Sequence, residues 1–183
     1  VSGSPTTNEV KQWSDYAASD PIDDIEDAKA GILSTTGMEP NTLVLGYDVF
    51  RALKNHPDIV DRIKYTSAQT VTADMLAAMF DIPRVIISKA VKATNNEGAS
   101  QAYSFTSGKK ALLAYVAPPP GLLTPSAGYS FSWTGVSGGI GSTIGVSSFR
   151  MESLKADRIE GEMAFDNKVI ASDLGWFWDS VVA

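Results

Sequence analysis

The chain has 183 residues, 44% of them hydrophobic and 20% charged, with a formal net charge of −6. That is enough for one globular domain with a real core, or two small lobes, and it argues against wholesale disorder. Fifteen basic residues against 21 acidic ones, no Lys/Arg run beyond Lys109-Lys110, no cysteine and one histidine disfavour phosphate-gripping nucleic-acid binders, polybasic membrane binders, disulfide scaffolds and His- or Cys-built metal sites.

Residues 1–9 are small and polar, and are expected to be mobile. They hold neither a basic start nor an apolar stretch, so no signal peptide is read there. No apolar run approaches the roughly 20 residues that span a bilayer. The sequence opens on Val1 rather than Met, which suggests a processed product or a fragment. Lys11 to Ala18 predicts a short helix carrying Trp13 and Tyr16. The segment DPIDDIEDAKAGILSTTG then predicts a long amphipathic helix. Asp20 is a good N-cap, Pro21 suits the first helical position, and Asp23, Asp24 and Glu26 complement the positive end of the helix dipole. Ile22, Ile25, Ala28, Ile32 and Leu33 recur at three- and four-residue spacing as its buried face, and Gly37 stops it. The acidic run reads as a solvated face, not a metal site.

Leu43-Val44-Leu45 reads as a buried strand, broken by Gly46. Val49, Phe50 and Leu53 mark a helix, and Pro57 restarts one with Ile59, Val60 and Ile63. His56 falls in the last turn of the first of these and reads as a dipole partner or solvated residue, not a catalytic base. Thr72 caps a helix to Phe80 whose Met75, Leu76, Met79 and Phe80 stripe reads as core. Arg84 to Ser88 is a second buried strand. Asn95-Asn96-Glu97-Gly98 is a turn, Tyr103–Phe105 and Leu112–Val116 are strands, and Pro118-Pro119-Pro120-Gly121 forces an extended excursion.

The last third changes character. Tyr129, Phe131 and Trp133 alternate with Ser130, Ser132 and Thr134 as a strand with one apolar face. Gly135 to Gly145 reads as a flexible loop, because its glycines miss the dinucleotide-binding spacing and lead into a strand. From Phe149 to Phe165 the pattern is extended, and unbroken it would reach about 55 Å. Ile159, Gly161, Met163 and Phe165 form a core-facing apolar row. Arg158, Glu160 and Glu162 form the opposite, charged row, the candidate subunit contact, with a merely solvated face as the plainer reading. LGWFWDSVVA puts Trp176 and Trp178 on one face and Phe177 on the other, and is expected to dock against the body.

Four segments in series resemble the major capsid proteins of tailed bacteriophages, whose shell fold is shared with encapsulins and the herpesvirus capsid floor. DPIDDIEDAKAGILSTTG is similar to the spine helix. PNTLVLGYDVFRALKNHPDIVDRI resembles the strand-helix entry into the axial lobe, and FDIPRVIISKAV the strand that crosses it. SFRMESLKADRIEGEMAFDNKVIASDLGWFW resembles the long peripheral strands and the closing strand. The resemblance spans residues 20–183 and rests on serial order and strand length, since no single segment is a signature.

The resemblance implies an α+β phage major-capsid fold. A peripheral lobe would combine residues 1–37, with the spine helix, and the long antiparallel strands of 148–168. An axial mixed α/β lobe would hold 38–147, with 169–183 returning to it. The family's N-terminal arm and extended hairpin loop have no counterpart before the helix. The Lys and Asn that crosslink some relatives cannot be matched to positions here. Implied are a structural, non-enzymatic tile of an icosahedral phage or prophage head, made in the bacterial cytoplasm and built into the virion. It would form pentamers and hexamers, enclose double-stranded DNA without binding it specifically, and act alongside a scaffold and a protease. No membrane, cofactor or metal is implied. The alternatives are an encapsulin-like shell and a small carboxylate-based enzyme.

Overall fold

The computed structural model describes residues 10–64, 71–121, 123–133, 135 and 144–183. The chain is a mixed helix-and-sheet protein that divides into two compact units, residues 1–127 with 172–183, and residues 128–171. The expected tail of 1–9, and most of the expected loop of 135–145, lie outside the described residues.

The larger unit is built on a four-stranded sheet. Its strands are β1 (Thr42–Gly46), β2 (Arg84–Ser88), β5 (Ala111–Ala114) and β10 (Gly175–Trp178), in the order β10-β5-β1-β2. β1 and β2 run parallel, and β5 is antiparallel to both β1 and β10. The parallel pair needs a long crossover. It is supplied by α2 (Tyr47–Lys54), α3 (Pro57–Ile63) and α4 (Ala73–Phe80). A small ribbon of β3 (Val91–Ala93) and β4 (Tyr103–Phe105) projects between β2 and β5 in sequence, turning through the expected Asn95–Gly98 segment.

The long helix α1 spans Pro21–Thr36. The Asp20 carboxylate accepts hydrogen bonds from the amides of Ile22 and Asp23, and Gly37 closes the helix at φ 71°, where a Cβ would be strained. Its buried face is Ile22, Ile25, Ala28, Lys29 and Ile32. Leu33, expected on that face, is 48% exposed. The stripe instead admits Lys29, whose ammonium donates to the Phe80 carbonyl at 2.9 Å and so caps the C-terminal end of α4. The Thr72 hydroxyl caps the other end of α4 by accepting from the Met75 amide.

Residues 11–18 form turns rather than the expected helix. Their conformation is set from far away: the Trp13 amide donates to the Val181 carbonyl at 2.8 Å, and its indole, fully buried, lies 5.7 Å from that of Trp178. The closing segment docks as expected, with Trp178, Val181 and Val182 in the core.

The Trp13 indole N–H donates to Asp24 Oδ2 at 2.7 Å. Burial pushes the Asp24 carboxyl above its ordinary 3.8; the Trp13 hydrogen bond opposes this, and Asp20, Asp27 and Asp23 add to the rise. Above 3.8 the folded state therefore holds a proton that the unfolded state has released. Asp24 supports stability at low pH, and that support is lost as pH rises through the raised value. Asp24→Asn keeps an acceptor for Trp13 without the buried charge. Its melting temperature should exceed wild type at neutral pH, and the difference should shrink to nothing as the pH is lowered to about 3.8. Thermal unfolding by circular dichroism across that range checks it.

Candidate subunit-contact surface

The smaller unit consists of two antiparallel ribbons. One pairs β6 (Gly128–Ser132) with β9 (Phe165–Val169), and the other pairs β7 (Ile144–Met151) with β8 (Ala156–Met163). The expected unbroken run from Phe149 to Phe165 is thus three strand pieces. It is interrupted by a turn over Glu152–Lys155, with Lys155 at φ 49°. Strands of eight residues are of ordinary length.

The turn changes which residues share a face. Directly opposed residues of an antiparallel pair point the same way. Phe149 opposes Arg158, Ser147 opposes Glu160 and Gly145 opposes Glu162. The three candidate residues therefore lie together on one face, joined by Phe149 and Met151, which an unbroken strand would have sent to the other side. Arg158 pairs with Glu160, and its guanidinium lies over the Phe149 ring, 5.7 Å from the centroid. Exposed contacts of this kind contribute at most about 1 kcal/mol each. The hairpin register would have revealed Phe149 as the platform for Arg158, but only with the turn already known.

The opposite row corrects the expectation more sharply. Ile159, Met163 and Phe165 are not core-facing: they are 73%, 58% and 59% exposed, and Val146, which opposes Gly161, is exposed with them. The less exposed side is the charged one, where Gly145 is buried and Ser147, Met151 and Glu160 are half-buried. In the other ribbon Tyr129 and Phe131 do share a face, yet Phe131 is exposed, as is Trp133 just past the end of β6.

His56 is neither solvated nor in the last turn of a helix. It is the N-cap residue of α3 and is fully buried, in a T-shaped contact with the Tyr16 ring. It also has a partner, contrary to expectation: Nε2 lies 3.1 Å from Ser19 Oγ, whereas Nδ1, 3.4 Å from Asp58 Oδ2, makes no hydrogen bond. The grouping resembles a nucleophile–base–acid set only in composition. The Ser19 hydroxyl donates its one proton to the Asp15 carbonyl at 2.7 Å, so His56 is the donor to Ser19 and cannot act as its base. With both Ser19 and His56 buried, a substrate has no approach. The cluster ties residues 15–19 to the start of α3. Among the described residues no three His, Asp or Glu side chains are grouped to hold a metal ion, and no helix is long and apolar enough to cross a membrane.

Residues 5–127 match the family model of phage major capsid protein E. The major capsid protein of Burkholderia phage BcepMu is 34% identical over 100 residues, which are 55% of this chain and 31% of that protein. The crystal structure of a phage-related protein from Bordetella bronchiseptica RB50 is similar with a TM-score of 0.78 at 29% identity, over 93% of this chain and 54% of that one. The chain thus spans about a third of the curated relative it matches and about half of the structural neighbour.

Proposed function

This chain belongs to the phage major capsid protein E family, and we propose that it is part of the structural subunit that tiles a phage head. The observation that carries this reading is the family match, which covers α1, the crossover helices and three strands of the four-stranded sheet. The exposed apolar rows of both ribbons support it, because a protein that works alone has little use for them. In this reading the subunit assembles as pentamers and hexamers in the virion, is made in the bacterial cytoplasm, and encloses double-stranded DNA. Its acidic balance suits confinement of DNA screened by mobile cations. A scaffold and a protease are its proposed helpers. Electron microscopy of the whole subunit should show closed shells; their absence at all salt and protein concentrations would overturn the reading.

The lobe division is likewise proposed: 1–37 with 148–168 as the peripheral lobe, and 38–147 with 169–183 as the axial one. Support is firmest for 148–168, which falls inside a compact unit of its own, whereas α1 groups with the four-stranded sheet.

Arg158, Glu160 and Glu162 are our proposed lateral contact, supported by their alignment on the less exposed face of the β7–β8 hairpin. Reversing Arg158 and Glu160 to Glu and Arg should lower shell yield and salt tolerance in the whole subunit, measured by sedimentation of assembled particles. Unchanged yield and salt tolerance would place the lateral contact elsewhere.

A further inference from the structure

Among the described residues none covers the row of the β7–β8 hairpin opposite Arg158. A two-stranded ribbon is marginal in water, and this one leaves Val146, Ile159 and Met163 exposed on the face opposite Arg158. We propose that this face packs on the same face of a second copy, about a two-fold axis running along the hairpin. The proposal rests on the shell-tile reading and names its partner surface.

The register carries the argument. A two-fold axis along the hairpin sets β7 of one copy over β8 of the other at the same level. Every pair within the ladder is then also a pair between copies. Val146 opposes Gly161, and a Cβ at Gly161 would meet nothing within 4 Å. Each Val146 therefore enters the hollow above Gly161 of the other copy. Ser148 opposes Ile159, again small against large. Sheets packed face to face interdigitate in this way, about 10 Å apart. At the turn end Arg150 opposes Asp157, with Nη1 and Oδ1 3.2 Å apart. Two copies stack these pairs into a square of alternating charge, Arg150 over Asp157 on both sides.

Charge also selects this axis over its rival. A two-fold across the strands would reverse the levels. Arg150 and Asp157 would then sit on the Ile144–Met163 end of the other copy, and both charges would lose water to apolar side chains. Only the axis along the hairpin matches charge with charge and bulk with hollow. Four ladder levels make a small interface, below the roughly 1,000 Å² that holds a stable dimer. One such contact binds weakly, and a shell multiplies it.

Sedimentation equilibrium of this chain over a concentration series tests the contact. Wild type should show weak, reversible dimerisation. Gly161→Val raises strand propensity but fills the hollow, so the hairpin should persist by NMR while association weakens roughly tenfold or more. Arg150→Asp and Asp157→Arg should each abolish dimerisation. The double variant should restore it because the charges alternate again, and the equimolar mixture should restore it because a hairpin with two negative charges then faces one with two positive charges. A wild-type chain that stays monomeric throughout, association unchanged by Gly161→Val, or a mixture that fails to associate would each overturn the proposal. The tile reading is judged separately by electron microscopy. Shells at wild-type yield from a Gly161→Val subunit would remove this contact and leave that reading standing. Dimers without shells would do the reverse.

Discussion

Gly46→Ala should destabilise the larger unit by about 3 kcal/mol or more, a large share of the roughly 5–15 kcal/mol that a domain of this kind has to lose. The reason is space, since Gly46 has φ −65° and ψ 155°, which any residue adopts. A Cβ there would collide with the carbonyl groups of Ser107 and Gly108. Those are backbone atoms and cannot swing aside. They are pinned by the Gly46 amide donating to Lys110 O at 2.8 Å and the Val49 amide donating to Gly108 O at 3.3 Å. The added methyl must therefore part the end of β1 from residues 107–110 and break hydrogen bonds that join β1 and α2 to the approach of β5. Two other glycines give an internal scale. Gly37→Ala meets no atom within 4 Å but must hold φ 71°, at a cost of about 1 kcal/mol, and Gly161→Ala meets neither obstacle. Urea unfolding should rank the three as Gly46, then Gly37, then Gly161. A Gly46→Ala midpoint equal to wild type would show that the 107–110 segment yields freely.

These contrasts trace what the sequence made legible. Elements whose ends carry local chemistry were readable to the residue: Asp20-Pro21 and Gly37 bound α1, and Thr72 opens α4. Leu43–Leu45 became a buried strand as read, while Arg84–Ser88, opened by Pro83, became a strand that is only half-buried because it lies at the edge of the sheet. The turn over Glu152–Lys155 was illegible because it holds no Gly, Pro, Asn or Asp, and a lysine takes the left-handed position. Missing it merged β7 with β8, and one flipped parity moved Phe149 and Met151 to the wrong face. Burial was legible only where neighbours in sequence decide it. Leu33 yielded its place to Lys29 because the α4 carbonyl at Phe80 needed a donor, a contact across 51 residues. His56 is buried because Tyr16 and Ser19 fold over it. Alternation in β8 correctly separated charged from apolar residues. It could not say which row faces out, because that depends on what covers the hairpin.

Val181→Asp should abolish cooperative folding of the larger unit, and Val181→Ala should cost about 2 kcal/mol, more if the site fails to collapse. Val181 is fully buried and joins three separate parts of the chain. Its carbonyl accepts from the Trp13 amide at 2.8 Å, and its amide donates to Lys109 O at 2.9 Å. Next to it, the Ala183 amide donates to Ser14 Oγ at 3.0 Å, and the Gln12 amide group donates to Ser180 O at 3.2 Å. Residues 180–183 thus lie like a short extra strand between the 12–14 segment and the loop before β5. The side chains of Val181, Val182, Trp13 and Trp178 close one end of the core. The Val181 side chain lies in the apolar core, so a carboxylate there loses water or the segment lifts away. Lifting exposes Trp13 and Trp178 together. The expected signature is a red-shifted tryptophan emission and loss of the cooperative urea transition in Val181→Asp. Val181→Ala should keep the emission and shift only the midpoint. A cooperative transition retained in Val181→Asp would mean that residues 180–183 dock without stabilising the core. Docking of this kind is a long-range contact, which local sequence signals reported only as two tryptophans and two valines too apolar to be left in water.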